Sequence, residues 1–324
     1  MKKRVLAGIR ATGRLHLGNY LGAIKGMLIL QESNEYETIY MVADAHTLTT
    51  PFDVAQLRKN RREVIIDYLS AGLNPEKSII FLQSDIPEHF ELAFYFSSLM
   101  SIARMQHLPT YKEKIKQYPN DNTMSLLNYP ILMASDILIY KAGLVPVGID
   151  QEPHLEVARE IDRKMNQKYH TDFPEPIRFI TKGEYIPSLT GEGKMSKSVE
   201  GSYINLTDTI DVVRKKIRSV ATATKVGGQM TKGVQTLFTL TDFYLPEEKN
   251  RFKQAYDNGT LQFVELKDAI TEAIYKELAP IQEKRYDIEK DTTYINSVIV
   301  QGAEKAHAIA RQTMKEVKEK IGLL

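Results

Sequence analysis

Lys194-Met195-Ser196-Lys197-Ser198 places two ammonium groups three residues apart among hydroxyls, a mobile cationic clamp suited to a polyphosphate such as that of ATP. Taken alone, a short basic run of this kind is ordinarily a solvated loop. A second segment changes the weighing. Thr12-Gly13-Arg14-Leu15-His16-Leu17-Gly18-Asn19 lies where a short apolar strand, residues 4–10, hands over to a helix. Free backbone N–H groups and the positive end of a helix dipole would meet an anion there. Gly13 and Gly18 let backbone approach a ligand closely, and His16 and Asn19 can donate to phosphoryl oxygens. A tight turn with a surface histidine would read the same way in isolation; the two segments together argue for nucleotide chemistry.

The elements that must carry these segments follow from periodicity. Residues 4–10, 38–43 and 78–83 are Val/Ile/Leu-rich runs, each followed by a helical pattern, so strands and helices alternate as in a parallel α/β sheet. Between the second and third runs, Val54, Leu57, Val64, Ile65, Tyr68 and Leu69 recur at helical spacing, with Asn74-Pro75 expected to end the helix. Residues 88–107 read as one helix, apolar around much of its circumference at Leu92-Ala93-Phe94-Tyr95-Phe96, as if covered by another lobe or subunit. A helix is predicted from Met124 to Tyr140, stopped by Gly143. It is followed by the strand Leu144-Val145-Pro146-Val147-Gly148 and a second strand-to-helix handover at Asp150-Gln151. From about residue 207 the chain reads as helices, and in the last one Ala303, Ala306, Ala310, Thr313, Val317 and Ile321 line one face before Gly322. A domain boundary is expected near 205, giving a domain of residues 1–205 and a helical one of 206–324.

With 324 residues, 43% of them hydrophobic, the chain can bury a real core and reads as two lobes. Its formal net charge of +2 means that a nucleic-acid partner must be held by local basic patches. The absence of cysteine excludes disulfides, thiolate metal sites and a cysteine nucleophile, and fits a reducing cytoplasm. Met1-Lys2-Lys3-Arg4 followed by Val5-Leu6-Ala7-Gly8-Ile9 begins like a signal peptide, but Arg10 cuts the apolar run short, and no stretch is long and apolar enough to span a bilayer. The expectation is a protein neither exported nor embedded.

His16-Leu17-Gly18-Asn19 resembles the His-Ile-Gly-His motif of class I aminoacyl-tRNA synthetases, and Lys194 to Ser198 matches their Lys-Met-Ser-Lys-Ser motif without a substitution. The likeness extends to Gly8-Ile9-Arg10-Ala11-Thr12-Gly13, to Tyr129-Pro130 through Asp136, and to Val145 through Gln151. It continues into the helical end at Leu278-Ala279-Pro280-Ile281 and Gly302 through Ala306. Within that class the chain resembles the tryptophan and tyrosine subclass, on its tryptophan side. Ala11 stands where the family has proline, and Asn19 where the general motif has its second histidine, as is common in this subclass.

The resemblance implies a Rossmann-like parallel-sheet catalytic domain with a helical insertion, followed by a mostly α-helical, anticodon-binding domain. It implies activation of L-tryptophan with ATP to tryptophanyl-adenylate and pyrophosphate, then transfer to the 3' end of tRNA, in a homodimer. Lys194, Lys197 and His16 are then the catalytic residues. ATP-binding residues are Arg10, Ala11, Thr12, Gly18, Asn19, Gly148, Ile149, Asp150, Ile186, Met195, Ser196 and Ser198, together with the lysines. Asp150 is placed to accept from ribose hydroxyls, and a helix cap is a sound second role that could coexist with it. Magnesium is expected to arrive with ATP, since no carboxylate cluster reads as a built-in metal site.

Tyr129, Met133 and Asp136, at i, i+4 and i+7, share one helical face and can point at one ligand. A carboxylate in an otherwise apolar slot suits a flat ring offering a single N–H, as indole does; its alternative is a cap or salt bridge within the core. Met133 leans towards tryptophan, because archaeal-type tyrosine enzymes often carry Gln there. Gln151 and His46 complete the expected tryptophan-binding set, a lone histidine being otherwise more often structural. The basic runs 58–62, 112–116 and 214–218 fit RNA phosphates or solvated helix faces equally, and Lys112 or Lys114 offers a route to pyrophosphate. Rival functions are a tyrosine-tRNA ligase, a non-catalytic RNA-binding paralogue, and a small nucleotidyltransferase.

Overall fold

The computed structural model describes residues 2–181, 183, 185–197, 199–222 and 226–324. Along the chain run β1 (Lys3–Arg10), α1 (Leu17–Asn19), a π turn (Tyr20–Ile24), α2 (Lys25–Ser33), β2 (Tyr36–Ala43), α3 (Val54–Ala71) and β3 (Ser78–Leu82). Then come α4 (Glu88–Ser97), α5 (Ile102–Gln106), α6 (Pro109–Gln117), α7 (Met124–Leu138), β4 (Leu144–Pro146), α8 (Glu152–Tyr169) and β5 (Ile177–Phe179). The rest is helical: α9 (Ile210–Ser219), α10 (Lys232–Tyr244), α11 (Lys249–Asp257), α12 (Phe263–Lys290) and α13 (Thr292–Ile321).

These elements form two compact units that interleave in sequence: Met1–Gly13, Ala23–Thr181 and Ile288–Leu324 make the first, Arg14–Gly22 and Lys182–Asp287 the second. The boundary expected near 205 falls inside the second unit, and the final helix belongs to the first. Contiguous segments are what composition along the chain can suggest, whereas packing joins distant ones.

The first unit is built on a five-stranded sheet of order β3-β2-β1-β4-β5, all neighbours parallel. Its central strands are apolar on both faces, with Val5, Leu6 and Ala7 of β1 and Ile39 to Ala43 of β2 buried, as a parallel sheet covered by helices on each side requires. Helix α3 is opened by Asp53, whose carboxylate accepts from Gln56 N at 2.7 Å, and closed by Gly72 at φ 114°, just ahead of the expected stop at Asn74-Pro75. The single helix expected over 88–107 is broken into α4 and α5. Ser97 and Ser98 hydroxyls donate back to Phe94 O and Tyr95 O at 2.6 and 2.7 Å, and Ser101 caps α5. Helix α13 packs on β3 and α4 through Ala306, Ala310, Met314 and Val317. Gly302 is required there, because a Cβ would sit 1.7 Å from Ile80 O.

The second unit packs α9 to α12 around Val213, Ile217, Leu237, Phe252, Ile270 and Ile274. Lys267, buried, donates to Arg218 O and Val220 O at 2.9 and 2.7 Å, satisfying carbonyls at the end of α9.

Candidate active site

In the second unit, His16 is the N-cap of α1, in extended conformation at φ −108°, ψ 168°. Its Nδ1 accepts from Asn19 N at 3.3 Å, while Asn19 Oδ1 accepts from His16 N at 3.2 Å, a reciprocal box built from an unusual residue pair. An accepting Nδ1 places the ring proton on Nε2, leaving that nitrogen as the donor. Main-chain bonds on either side tie the segment down: Leu17 N donates to Ile204 O at 2.8 Å and Leu206 N to Leu15 O at 3.0 Å. The expectation of freely available N–H groups at this helix start is therefore corrected for Leu17 and Asn19, whose N–H groups are used within the chain.

The lysine loop is held next to this segment. Met195, 2% exposed, anchors it by side-chain burial and by Met195 N donating to Ile186 O at 2.8 Å. Gly191 and Gly193 turn the chain at φ 81° and 70°. The buried Ser202 hydroxyl accepts from Ser196 N at 3.3 Å and donates to Ser196 O. Gly18 closes the arrangement, since a Cβ there would lie 2.9 Å from the His16 ring and 3.3 Å from Met195 Cβ. The two motifs, far apart in sequence, thus share one packing contact. Burial, and then the charges of Lys197 and Lys194, drive the His16 pKa down to about 3, so its imidazole is neutral. Lys194 is exposed and Lys197 half-buried; Ser198 lies outside the described residues.

In the first unit a polar cluster gathers where the parallel strands end at their carboxyl edge. Arg10 closes β1, His46 follows β2, Gln83 follows β3, and Gly148 to Gln151 follow β4. Arg10 donates to Thr50 Oγ1 at 3.2 Å and keeps its Nε buried without an acceptor among the described residues. Burial lowers its pKa against the opposing pull of Tyr129 and Tyr118. Ala11 is fully buried, and Thr12 N turns back to Arg10 O at 2.8 Å before Gly13 at φ 106°. Gly148 caps the short turn Ile149–Gln151, with Ile149 62% exposed. Asp150 does not cap α8, whose N-cap is Gln151; its Oδ2 accepts from Gln151 Nε2 at 2.8 Å.

Helix α7 presents Tyr129 and Met133, both half-buried, and Asp136, 0% exposed. The Asp136 surroundings correct the expectation of an apolar slot. Gln83 Nε2 donates to both carboxylate oxygens at 2.8 and 3.0 Å, His89 Nδ1 is 2.6 Å from Oδ1, and His46 Nε2 is 2.9 Å from Oδ2. Burial alone would raise the Asp136 pKa, but the hydrogen bonds and charges of His46 and His89 hold it down, to about 2.

Tyr129 hydrogen-bonds His154 Nε2, and His154 Nδ1 is 3.0 Å from Gln151 Oε1, which joins α7 to the turn bearing Asp150. Burial brings the His154 pKa down to about 4, despite Asp150 pulling upward. Gln83, His89 and His154 escaped the sequence reading; His154 alone had a local signal, three residues beyond Gln151 on the same helical face.

Several members of the first and third basic runs are engaged by acids. Arg61 binds Asp44 at 2.6 Å, Arg214 binds Asp211 and Glu272 at 2.9 and 2.8 Å, and Arg218 binds Asp268 at 3.0 Å. Lys114 donates to Gln117 Oε1 at 2.7 Å, and burial lowers its pKa, with Glu113 opposing and Arg10 adding to the effect. Among the described residues no group of three His, Cys, Asp or Glu is arranged to hold a metal, and no helix is long and apolar enough to cross a membrane.

A parallel Rossmann-like sheet, with a histidine-capped helix start packed against a Lys-Met-Ser-Lys loop, defines a class I aminoacyl-tRNA synthetase. The family model of tRNA synthetases class I (W and Y) matches residues 1–284, and the chain belongs to that family. Among its relatives, the tryptophan–tRNA ligase of Borreliella burgdorferi is 40% identical over 339 residues, covering 100% of this chain and 95% of that protein. The tryptophan–tRNA ligase of Treponema pallidum is 38% identical over 332 residues, covering 99% and 97%. The crystal structure of tryptophanyl-tRNA synthetase from Mycoplasma pneumoniae superposes with a TM-score of 0.87 at 32% identity, covering 99% of this chain and 98% of that one. That of the Campylobacter jejuni synthetase complexed with ADP and tryptophan gives 0.84 at 29% identity, covering 98% and 99%.

Proposed function

We propose that the chain is a tryptophan–tRNA ligase. The tryptophan carboxylate attacks the α-phosphorus of ATP, the bond to the β-phosphate oxygen breaks and pyrophosphate leaves. A terminal ribose hydroxyl of tRNA then attacks the acyl carbon, forming the ester and releasing AMP. The observation that supports this reading is the packing of Gly18 between the His16 ring and Met195, a contact shared by the two motifs.

No protein nucleophile is needed, because phosphoryl transfer is served by positioning and by cations and donors aimed at developing charge. Lys194 and Lys197 neutralise the triphosphate, and His16 donates through Nε2 without adding charge. Gly18, Asn19, Ile186, Met195 and Ser196 form the backbone and hydroxyl surround of the nucleotide. Arg10, Ala11 and Thr12 extend that surround, supported by the buried Arg10 Nε, which meets no acceptor among the described residues. Gly148, Ile149 and Asp150 hold the ribose, and Mg²⁺ comes with ATP. Asp136 accepts the indole N–H, with Tyr129, Met133, His46 and Gln151 around the ligand.

Residues 206–324 read the anticodon, and the enzyme works in the cytoplasm as a homodimer. The dimer is supported by Phe90 and Phe94 of α4, 40% and 74% exposed.

Amino-acid-dependent ATP–pyrophosphate exchange across the twenty amino acids tests the reading. Exchange with tryptophan, and refusal of phenylalanine by a factor on the order of 10⁴, is the expected result. Exchange with tyrosine and none with tryptophan would reassign the substrate, and tRNA binding without any adenylate would point to a non-catalytic paralogue.

A further inference from the structure

Asp136 receives hydrogen bonds at every position it has. Gln83 bridges its two oxygens, His89 adds a second donor at Oδ1, and His46 adds a second at Oδ2. An ionised carboxylate offers about four lone-pair sites, so a ligand N–H can enter only where a present donor leaves.

The three partners differ in how replaceable they are. Gln83 and His89 are both 0% exposed. His89 is enclosed edge-on by Phe81 and Tyr140, at ring distances of 6.0 and 5.3 Å, and its backbone carbonyl accepts from Ser135 Oγ at 2.6 Å. Its Nε2 lies 2.7 Å from the Tyr140 hydroxyl. Burial, and the charges of Asp136 and Glu88, keep that phenol protonated beside Nε2, and because an ionised carboxylate only accepts, the proton on His89 Nδ1 faces Asp136. His46, by contrast, stands on the short turn Ala45–Thr49, is 8% exposed, and meets the half-buried Tyr129 edge-on at 6.2 Å.

We propose that His89, backed by Tyr140 and joined by Gln83, is the fixed positioning brace of Asp136, and that His46 is the exchangeable partner whose place at Oδ2 the substrate's ring N–H takes. This rests on the reading of Asp136 as the acceptor of that N–H. Selectivity then comes from a carboxylate already ionised and oriented before the substrate arrives, in which only one acceptor position can be vacated. A ligand that lacks the N–H leaves either Oδ2 or His46 without compensation.

The test is the ratio of kcat/KM in pyrophosphate exchange for tryptophan over its benzothienyl analogue, in which sulfur replaces the ring N–H, with thermal melts to establish folding. Asp136→Asn is expected to collapse the ratio. His89→Leu is expected to lower it by about 10-fold or more, and His89→Asn, which can offer an amide N–H near the former Nδ1, to recover most of it; His46→Ala is expected to leave it undiminished. A wild-type ratio in folded His89→Leu, beside a collapsed one in Asp136→Asn, overturns the brace while sparing the underlying reading. An unchanged ratio in Asp136→Asn removes that reading itself. Loss of the ratio in His46→Ala to the extent seen in His89→Leu overturns the exchange. Nitrogen NMR of wild-type protein with labelled histidines needs no variant. Saturation with tryptophan should move the His46 ring signals and leave those of His89 in place, and the reverse pattern would defeat the assignment.

Discussion

At the lysine loop, charge stands at or near the surface on backbone shaped by glycines and main-chain hydrogen bonds, whereas at Asp136 one charge is sealed among side chains that each donate to it. The first arrangement anchors its loop through Met195 and main-chain hydrogen bonds, and it keeps the nearby His16 neutral by burial and by the lysines themselves. The second inverts this: burial opposes the Asp136 charge, and two histidines overcome that opposition. A flexible, highly charged polyphosphate can be met by cations that adapt to it. Telling one ring from another requires a polar group whose direction is settled beforehand, because misdirected buried polar atoms cost most when left unpaired.

The largest effect that would sharpen this contrast is Lys197→Ala. Adenylation in single-turnover experiments should fall by about 10²- to 10³-fold, the usual cost of removing one group aimed at developing charge, with tryptophan affinity nearly unchanged. Equal rates in the two proteins would break the comparison on the phosphate side.

Gly18→Ala comes next. Its methyl would press within 2.9 Å of the His16 ring, and displacing that ring should cost up to about 10²-fold in pyrophosphate exchange, as misplacement by around 1 Å does. An unaltered rate would show that the ring has room to move.

The smallest effects are in pH-dependent stability, at most about 1.4 kcal/mol per pH unit for each group. Asp136 titrates near 2 in the folded chain against an ordinary 3.8, so its contribution is full above about pH 4 and is lost as pH falls toward 2. His16 goes from 6.5 to about 3, so the unfolded chain takes up a proton first and stability declines as pH drops through that window. His154 adds the same sign between 6.5 and about 4. Asp162, raised to about 6 mainly by burial, acts oppositely, losing its contribution as pH rises from 3.8 to 6. Urea titrations of His16→Gln should therefore flatten the slope between pH 6.5 and 3, and those of Asp136→Asn only the limb below about 4.

Much of the scaffold was legible because local rules govern it. The strands β1, β2 and β3 announced themselves as apolar runs, Gly322 marked the end of α13 with φ 82°, and the two phosphate motifs stood out by residue type and spacing. The short β5 did not, since three residues with Ile177 61% exposed carry no periodic signal. Nor did the break between α4 and α5, which depends on serine hydroxyls competing for helix carbonyls.

Burial of one face imposes a period on neighbouring residues, so the chain alone decided where its helices and strands run, which chemistry its motifs offer, and that Asp136 shares a helix face with Tyr129 and Met133. It could not decide who meets Asp136. Gln83 and His89 lie 53 and 47 residues away in sequence, and they arrive only because parallel crossovers bring β3 and α4 to the same edge as α7. Likewise Gly302 reads as an unremarkable helical glycine until α13 lies against Ile80. Partners of buried polar groups and close backbone approaches are set by how distant segments pack, and no local pattern of residues encodes that packing.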